Sequence, residues 1–392
     1  MVAGYAAKEL AARGLKAGEL TILSADDAVP YERPPLSKGF LAGKDKEPDI
    51  RINAEDFYRE HGIELAMNAP AKAIDTARRV VRMESGAEYG FEKLVIATGA
   101  SPRKLEIPGA GLTGIHYLRS LGDSKRIRAQ AEQARRAVVV GGGFIGMEVS
   151  AVLAQKKIET TMVLRDDRIW KSFFTPAMSR TFESYFAARG VKFRKQTELS
   201  EARGGSALAS VALSGGQVLE CDLLVAGIGV QAETSALTGS GLEVGNGVVV
   251  NEYLETKVPG IYAAGDVASY QDTLFSKRRR VEHWDNAVSQ GQHCARTLTG
   301  ERAPFIHVPY FFSDVFDLSY EFWGDTAGAD EIVERGDVSS TSFSVWWLKQ
   351  QRLVAAFAMN RPDEERQAAA AWIESKRTVT PQQVKADQWP TG

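Results

Sequence analysis

Six residues, Gly141-Gly142-Gly143-Phe144-Ile145-Gly146, carry the sharpest chemical signal in the chain. Their G-x-G-x-x-G spacing suits a backbone that must pass close to a pyrophosphate. Gly141 makes the tight turn, Gly143 removes the side chain that would block the approach, and Gly146 lets a helix lie close on its strand. The helix N-terminus then offers unpaired N–H groups to the phosphates. About 20 residues further on, where a ribose is read, stand Arg165 and Asp166. A carboxylate suits the 2′-hydroxyl of NADH and a guanidinium suits the 2′-phosphate of NADPH, so the reading leans to NADH and leaves NADPH open. Gly227 is assigned to the same dinucleotide site. Two other apolar runs end in small residues: 92–99 closes on Ala97, Thr98 and Gly99, and 260–266 closes on Gly265 and Asp266. Each is read as a short buried strand whose end a ligand approaches, with Asp266 placed to accept hydrogen bonds from ligand hydroxyls. Asp26, just past a strand at 20–23, stands where an acid would read the ribose of a second dinucleotide.

These residues need elements to hold them. An apolar strand at 137–140, the glycine turn, a helix to about 155 and a strand at 160–164 make one complete βαβ unit. A helix at 3–12 and the strand at 20–23 read as the second half of another. Of the small-residue turn that would open that unit only Ala3 stands, and the strand and first two glycines that should precede it are not in the chain as written. The expectation is that the natural product begins upstream and that the chain as written binds its first dinucleotide weakly or not at all. From about residue 305 the composition turns aromatic, with strands expected at 342–348 and 353–359 and a helix at 363–376, which reads as a separate α+β domain.

Bulk properties narrow the partners. The 392 residues hold 48 Lys plus Arg against 50 Asp plus Glu, a net charge of -2, so no overall field favours nucleic acid or a membrane surface. Lys8 and Glu9 interrupt the place where a secretory signal needs an apolar core, and the cytoplasm is the expected compartment. Cys221 and Cys294 form neither a C-x-x-C pair nor a metal-ligand spacing; both read as packing residues, and no metal is expected.

Together with Pro30-Tyr31-Glu32-Arg33-Pro34-Pro35-Leu36-Ser37-Lys38, these signatures resemble the FAD-dependent pyridine-nucleotide oxidoreductases of the glutathione reductase fold. The R-P-P-L-S-K stretch and Glu282-His283-Trp284-Asp285-Asn286-Ala287 look like the ferredoxin and rubredoxin reductases. The tail Pro309-Tyr310-Phe311-Phe312-Ser313-Asp314 looks like monodehydroascorbate reductases and apoptosis-inducing factor. The resemblance implies an α/β fold of two Rossmann-like domains, for FAD and NAD(P)H, plus a C-terminal α+β domain. Residues 1–106 and 254–303 would bind FAD, 107–253 would bind NAD(P)H, and 304–392 would form the last domain.

The resemblance also implies roles. FAD would contact Ala3, Asp26, Arg33, Lys38, the Ala97-Thr98-Gly99 turn, Gly265, Asp266 and Trp284. Lys38 would lie beside the flavin ring and pair with Glu148, Arg33 would flank the ring, and Trp284 would stack where the nicotinamide arrives. A cation there favours the reduced ring, and an aromatic slab keeps water from the transfer. Disulfide-reducing members carry a cysteine pair beside the flavin. This chain has none, so electrons would leave for an external one-electron acceptor. A small acidic iron–sulfur protein such as a ferredoxin or rubredoxin fits, with Lys277-Arg278-Arg279-Arg280 as a basic landing patch or a solvated loop. The alternatives are a small-molecule radical, as in monodehydroascorbate reductases, or an NADH-responsive flavoprotein acting by interaction. Plant monodehydroascorbate reductases carry a basic residue and a tyrosine where this chain has Val288 and Phe312.

Overall fold

The structure is a computed structural model that describes residues 1–386; the last six positions of the expected C-terminal domain lie outside the described residues. The described chain divides into two compact units. The first comprises Met1–Arg33, Lys46–Ser101 and Val230–Pro309; the second comprises Pro34–Asp45, Pro102–Gly229 and the chain from Tyr310 onward.

In the first unit the helix Val2–Ala12 buries Val2, Ala6, Ala7 and Leu10, and its small residues let it lie close against the helix Trp284–Leu298. A Cβ on Gly291 would meet the Val2 carbonyl oxygen at 2.7 Å, so this approach depends on a glycine. Three parallel strand pairs stand in this unit: Thr21–Leu23 with Glu64–Ala66, Leu94–Ile96 with Ile261–Ala263, and Gly247–Val249 with Ala268–Asp272. Among the described residues no strand joins the first two pairs. Ile96, Ile261, Ala263, Val248 and Tyr270 build the core beneath the second pair.

Both of the expected longer strands are shorter here. The run at 92–99 is a strand only over Leu94–Ile96, with Ala97 and Thr98 exposed, and the run at 260–266 is a strand only over Ile261–Ala263. Glycines explain the stops: Gly99, Gly260 and Gly265 take φ of 73°, 76° and 77°, a left-handed backbone that ends a strand.

The second unit holds a five-stranded parallel sheet in the order Lys192–Arg194, Glu159–Val163, Arg136–Val140, Leu223–Ala226, Ile115–His116. Its central strands are apolar on both faces, Val138 and Val139 being fully buried, as a sheet covered by helices requires. The glycine turn leaves the central strand and opens the helix Phe144–Gln155. From Tyr310 a five-stranded antiparallel sheet follows, in the order Tyr310–Val315, Leu318–Gly324, Arg352–Met359, Phe343–Lys349, Glu331–Gly336, with the helix Asp363–Glu374 packed on it. Among the described residues no helix is long and apolar enough to cross a membrane.

Candidate functional site: two nucleotide cradles and two carboxylate hubs

The glycine turn of the second unit is built by close backbone approaches. Gly141 has φ of 105°, and a Cβ on it would strike the Gly227 carbonyl oxygen at 2.2 Å. A Cβ on Gly146 would strike the Gly141 carbonyl oxygen at 2.0 Å. Gly141, Gly146 and Gly227 therefore lie together for a steric reason. Gly143 differs, because the nearest atom to a Cβ there is Trp170 Nε1 at 3.7 Å, so its own side is open. It is the N-cap of the Phe144–Gln155 helix and makes no side-chain cap, and a helix N-terminus favours an anion. A cradle that any side chain would fill fits a dinucleotide pyrophosphate. Arg165 and Asp166 follow the strand Glu159–Val163 and are both exposed; Asp166 Oδ1 lies 4.0 Å from Lys171 Nζ.

Lys38 and Glu148 also meet in this unit, with Nζ 2.8 Å from Oε1 and the glutamate side chain only 5% exposed. The helix places Glu148 two residues past Gly146, and Lys38 follows the short 3₁₀ turn Pro34–Ser37. Ser37 Oγ donates to Glu148 Oε2, and Ser313 Oγ, from the strand Tyr310–Val315, donates to Oε1. The carboxylate is thus met on both oxygens, as a buried charge demands. Lys38 Nζ also lies 5.4 Å from the Phe312 ring centroid. Neither serine was singled out in the sequence, although Ser37 sits inside the R-P-P-L-S-K motif.

In the first unit the ends of Leu94–Ile96 and Ile261–Ala263 bring the Ala97-Thr98-Gly99 and Gly265-Asp266 turns side by side through their pairing. Thr98 Oγ1 donates to the Glu233 carbonyl oxygen at 2.6 Å, and Glu233 N–H donates back to the Gly99 carbonyl oxygen at 2.9 Å. The Gly265 N–H donates to Gln290 Oε1 at 2.7 Å, and Arg280 Nη1 donates to the Asp266 carbonyl oxygen at 2.9 Å. The small exposed residues on one turn and the left-handed glycines on both leave the close approach that a bound cofactor needs. Asp26 accepts from the Tyr31 hydroxyl at 2.6 Å, and Ala3 packs partly buried against Ala7, Ile22 and Tyr58. Arg33 is half-buried at the end of the same stretch.

Trp284, first residue of its helix, donates its indole N–H to Glu32, which also accepts the Tyr5 hydroxyl. The Tyr5 and Trp284 rings meet edge to face with centroids 6.5 Å apart. Burial and the Glu32 carboxylate push the Tyr5 phenol up. Burial also pulls the neighbouring His283 imidazole down to about 4, against the opposing pull of Asp266. Glu32 and Tyr5 carried no sequence signal beyond their neighbourhood to the Pro30–Lys38 motif and the first helix.

The basic run is a paired strand and not a solvated loop, with Arg278 exposed. Lys277–Arg279 is a strand paired antiparallel with Ala268–Asp272. Arg278 Nη1 donates to the Val250 carbonyl at 2.8 Å and to that of Ser269, Arg279 pairs with Asp272 at 3.1 Å, and Arg280 pairs with Glu282. Burial pushes the thiols of both Cys221 and Cys294 up to about 12, far from reactive.

The pyridine nucleotide-disulphide oxidoreductase family model matches residues 2–291, and a reductase C-terminal model matches residues 310–390. A peroxisomal monodehydroascorbate reductase of Arabidopsis thaliana is 35% identical, over 97% of this chain and 82% of its own. A rubredoxin-NAD(+) reductase of Pseudomonas putida is 34% identical, over 89% of this chain and 91% of its own. Among solved structures, putidaredoxin reductase in a covalent complex with putidaredoxin is 30% identical with a TM-score of 0.93, covering 98% of this chain and 93% of that one. Glycine cradle, double nucleotide fold and these likenesses converge: the chain belongs to the pyridine nucleotide-disulphide oxidoreductase family and is an oxidoreductase of the kind that uses FAD and NAD(H).

Proposed function

We propose that the chain carries electrons from NADH through FAD to an external one-electron acceptor, a small acidic iron–sulfur protein of the ferredoxin or rubredoxin kind. The observation that carries this reading is the state of the two cysteines: each is fully buried with a thiol held far above neutrality, so no dithiol stands between flavin and acceptor. The rubredoxin-NAD(+) reductase relative and the putidaredoxin reductase structure support it. The cytoplasm, where thiols stay reduced, is the compartment that suits this chemistry.

FAD supplies the step from a two-electron donor to one-electron exits. The protein supplies position and charge. In this reading residues 1–106 with 254–303 bind FAD, through Ala3, Asp26, Arg33, the Ala97-Thr98-Gly99 turn, Gly265, Asp266 and Trp284. Residues 107–253 bind NADH, with NADPH as the lesser substrate. There Gly141, Gly143, Gly146 and Gly227 shape the cradle, and Arg165 and Asp166 read the ribose. Residues 304–392 form the third domain. Lys38 holds a positive charge for the reacting ring, Glu148 holds Lys38, and Trp284 excludes water.

The 35% identity to a monodehydroascorbate reductase favours a second reading, a small organic radical as acceptor. Val288 and Phe312, apolar where plant enzymes have a basic residue and a tyrosine, weigh against it. NADH turnover measured with a ferredoxin or rubredoxin and, separately, with ascorbyl radical decides between them, whereas ferricyanide would accept electrons in either case. Fast turnover with the iron–sulfur protein is the expected result. Fast turnover with the radical alone would replace the reading, and slow turnover with every acceptor would overturn both.

A further inference from the structure

We propose that Trp170 is a further dinucleotide-contacting residue, whose indole N–H donates to the pyrophosphate lying over Gly143. The inference rests on the placement of NAD(H) at the 141–146 turn.

Trp170 follows the ribose-reading pair Arg165 and Asp166 in a loop to which no sequence motif drew notice. Its φ is 46°, a left-handed backbone that a bulky side chain adopts only where its surroundings over-determine it. Both ends of the residue are pinned to the glycine turn. The Trp170 backbone N–H donates to the Gly142 carbonyl oxygen at 3.1 Å. The ring, 6% exposed, is wedged against Phe144 at 4.3 Å, Phe174 at 4.7 Å and Phe173 at 4.8 Å between centroids.

This wedge brings Nε1 to within 3.7 Å of where a Gly143 Cβ would stand. Among the described residues no acceptor takes that N–H. An indole nitrogen can only donate, and buried tryptophans ordinarily satisfy it. The Phe144–Gln155 helix begins at the same place, and its N-cap residue Gly143 makes no side-chain cap. A neutral donor beside the positive end of a helix dipole suits an anion with many acceptor oxygens. A merely space-filling ring would need neither the left-handed backbone nor the aimed nitrogen.

Trp170→Phe keeps one aromatic ring and removes the pyrrole ring with its donor. In the flavin-loaded enzyme, with ferricyanide as acceptor, KM for NADH and the inhibition constant of ADP-ribose should each rise about tenfold, the loss expected for a hydrogen bond to a charged group. kcat should hold, because the lost contact binds ground and transition states alike. Inhibition by adenosine, which has no phosphate, should not change. Unaltered ADP-ribose inhibition overturns the proposal, and so does an equal weakening of adenosine. Gly143→Asp, run alongside, should abolish ADP-ribose inhibition; if it does not, the placement of the dinucleotide is at fault, and not Trp170 alone. Should Trp170→Phe lose flavin, the wild-type holoenzyme still answers. One of the indole N–H resonances of its seven tryptophans must shift when ADP-ribose is added, and none shifting overturns the proposal.

Discussion

Glu148 and Glu32 are two carboxylates drawn back from water, each gathering donors from distant parts of the chain, and they are built on opposite terms. Glu148 is 5% exposed and has a cation, Lys38, with Ser37 and Ser313 on its two oxygens. Glu32 is half-buried and, among the described residues, its carboxylate receives the neutral donors of Tyr5 and Trp284. Full burial of a charge demands an opposite charge, whereas partial exposure lets water share the load. The first hub therefore holds a charge in place, and the second holds a ring in place.

The largest effect should come from breaking the charged hub. Lys38→Met leaves Glu148 buried without its cation, at a cost of about 3 kcal/mol in stability. The thermal midpoint should drop by several degrees, and Glu148→Gln added to Lys38→Met should recover part of the loss. An unchanged midpoint would erase the contrast between the hubs. Glu32→Gln should cost less, about 2 kcal/mol, because two charge-assisted bonds weaken but no charge is orphaned. Chemical denaturation of both variants ranks them directly, and a larger loss for Glu32→Gln would reverse the comparison.

Beside the neutral hub, His283 sharpens it through pH. Its imidazole is held down to about 4 from an ordinary 6.5, so the native protein refuses a proton that the unfolded chain accepts. Above pH 6.5 neither state is protonated and the group has no effect. As pH falls from 6.5 toward 4, stability should decline by up to about 1.4 kcal/mol per unit. His283→Asn should flatten that segment of the stability profile, and an unaltered slope would show the imidazole to be unimportant. Ser313→Ala should do least, about 1 kcal/mol, since Lys38 and Ser37 still meet Glu148. A loss as large as that of Lys38→Met would mean the serine, and not the lysine, carries the hub.

Much of the site was legible as residue spacing. The 141–146 turn, its strand and its helix stand where the glycines put them, because a βαβ unit is local and a left-handed or crowded position admits little but glycine. The runs at 92–99 and 260–266 were read too long, since apolar character alone does not show where Gly99 and Gly260 turn the backbone. The loop alternative for the basic run fails for a related reason. A string of four cations looks like a loop until the strand Ala268–Asp272 is laid beside it and supplies Asp272 and the Ser269 carbonyl.

By itself, then, the sequence determined the glycine turn between its strand and helix, the absence of a redox cysteine pair, and the motif that brings in Lys38. Those depend on residue types within a few positions of one another. Only the tertiary structure decided that Ser313 reaches Glu148 across 165 positions, that Trp284 reaches Glu32 across 252, and that Trp170 leans its nitrogen over Gly143. Hydrogen bonds are short and directional, so a donor's partner is set by which strands and helices the fold lays side by side, and spacing along the chain carries no record of that.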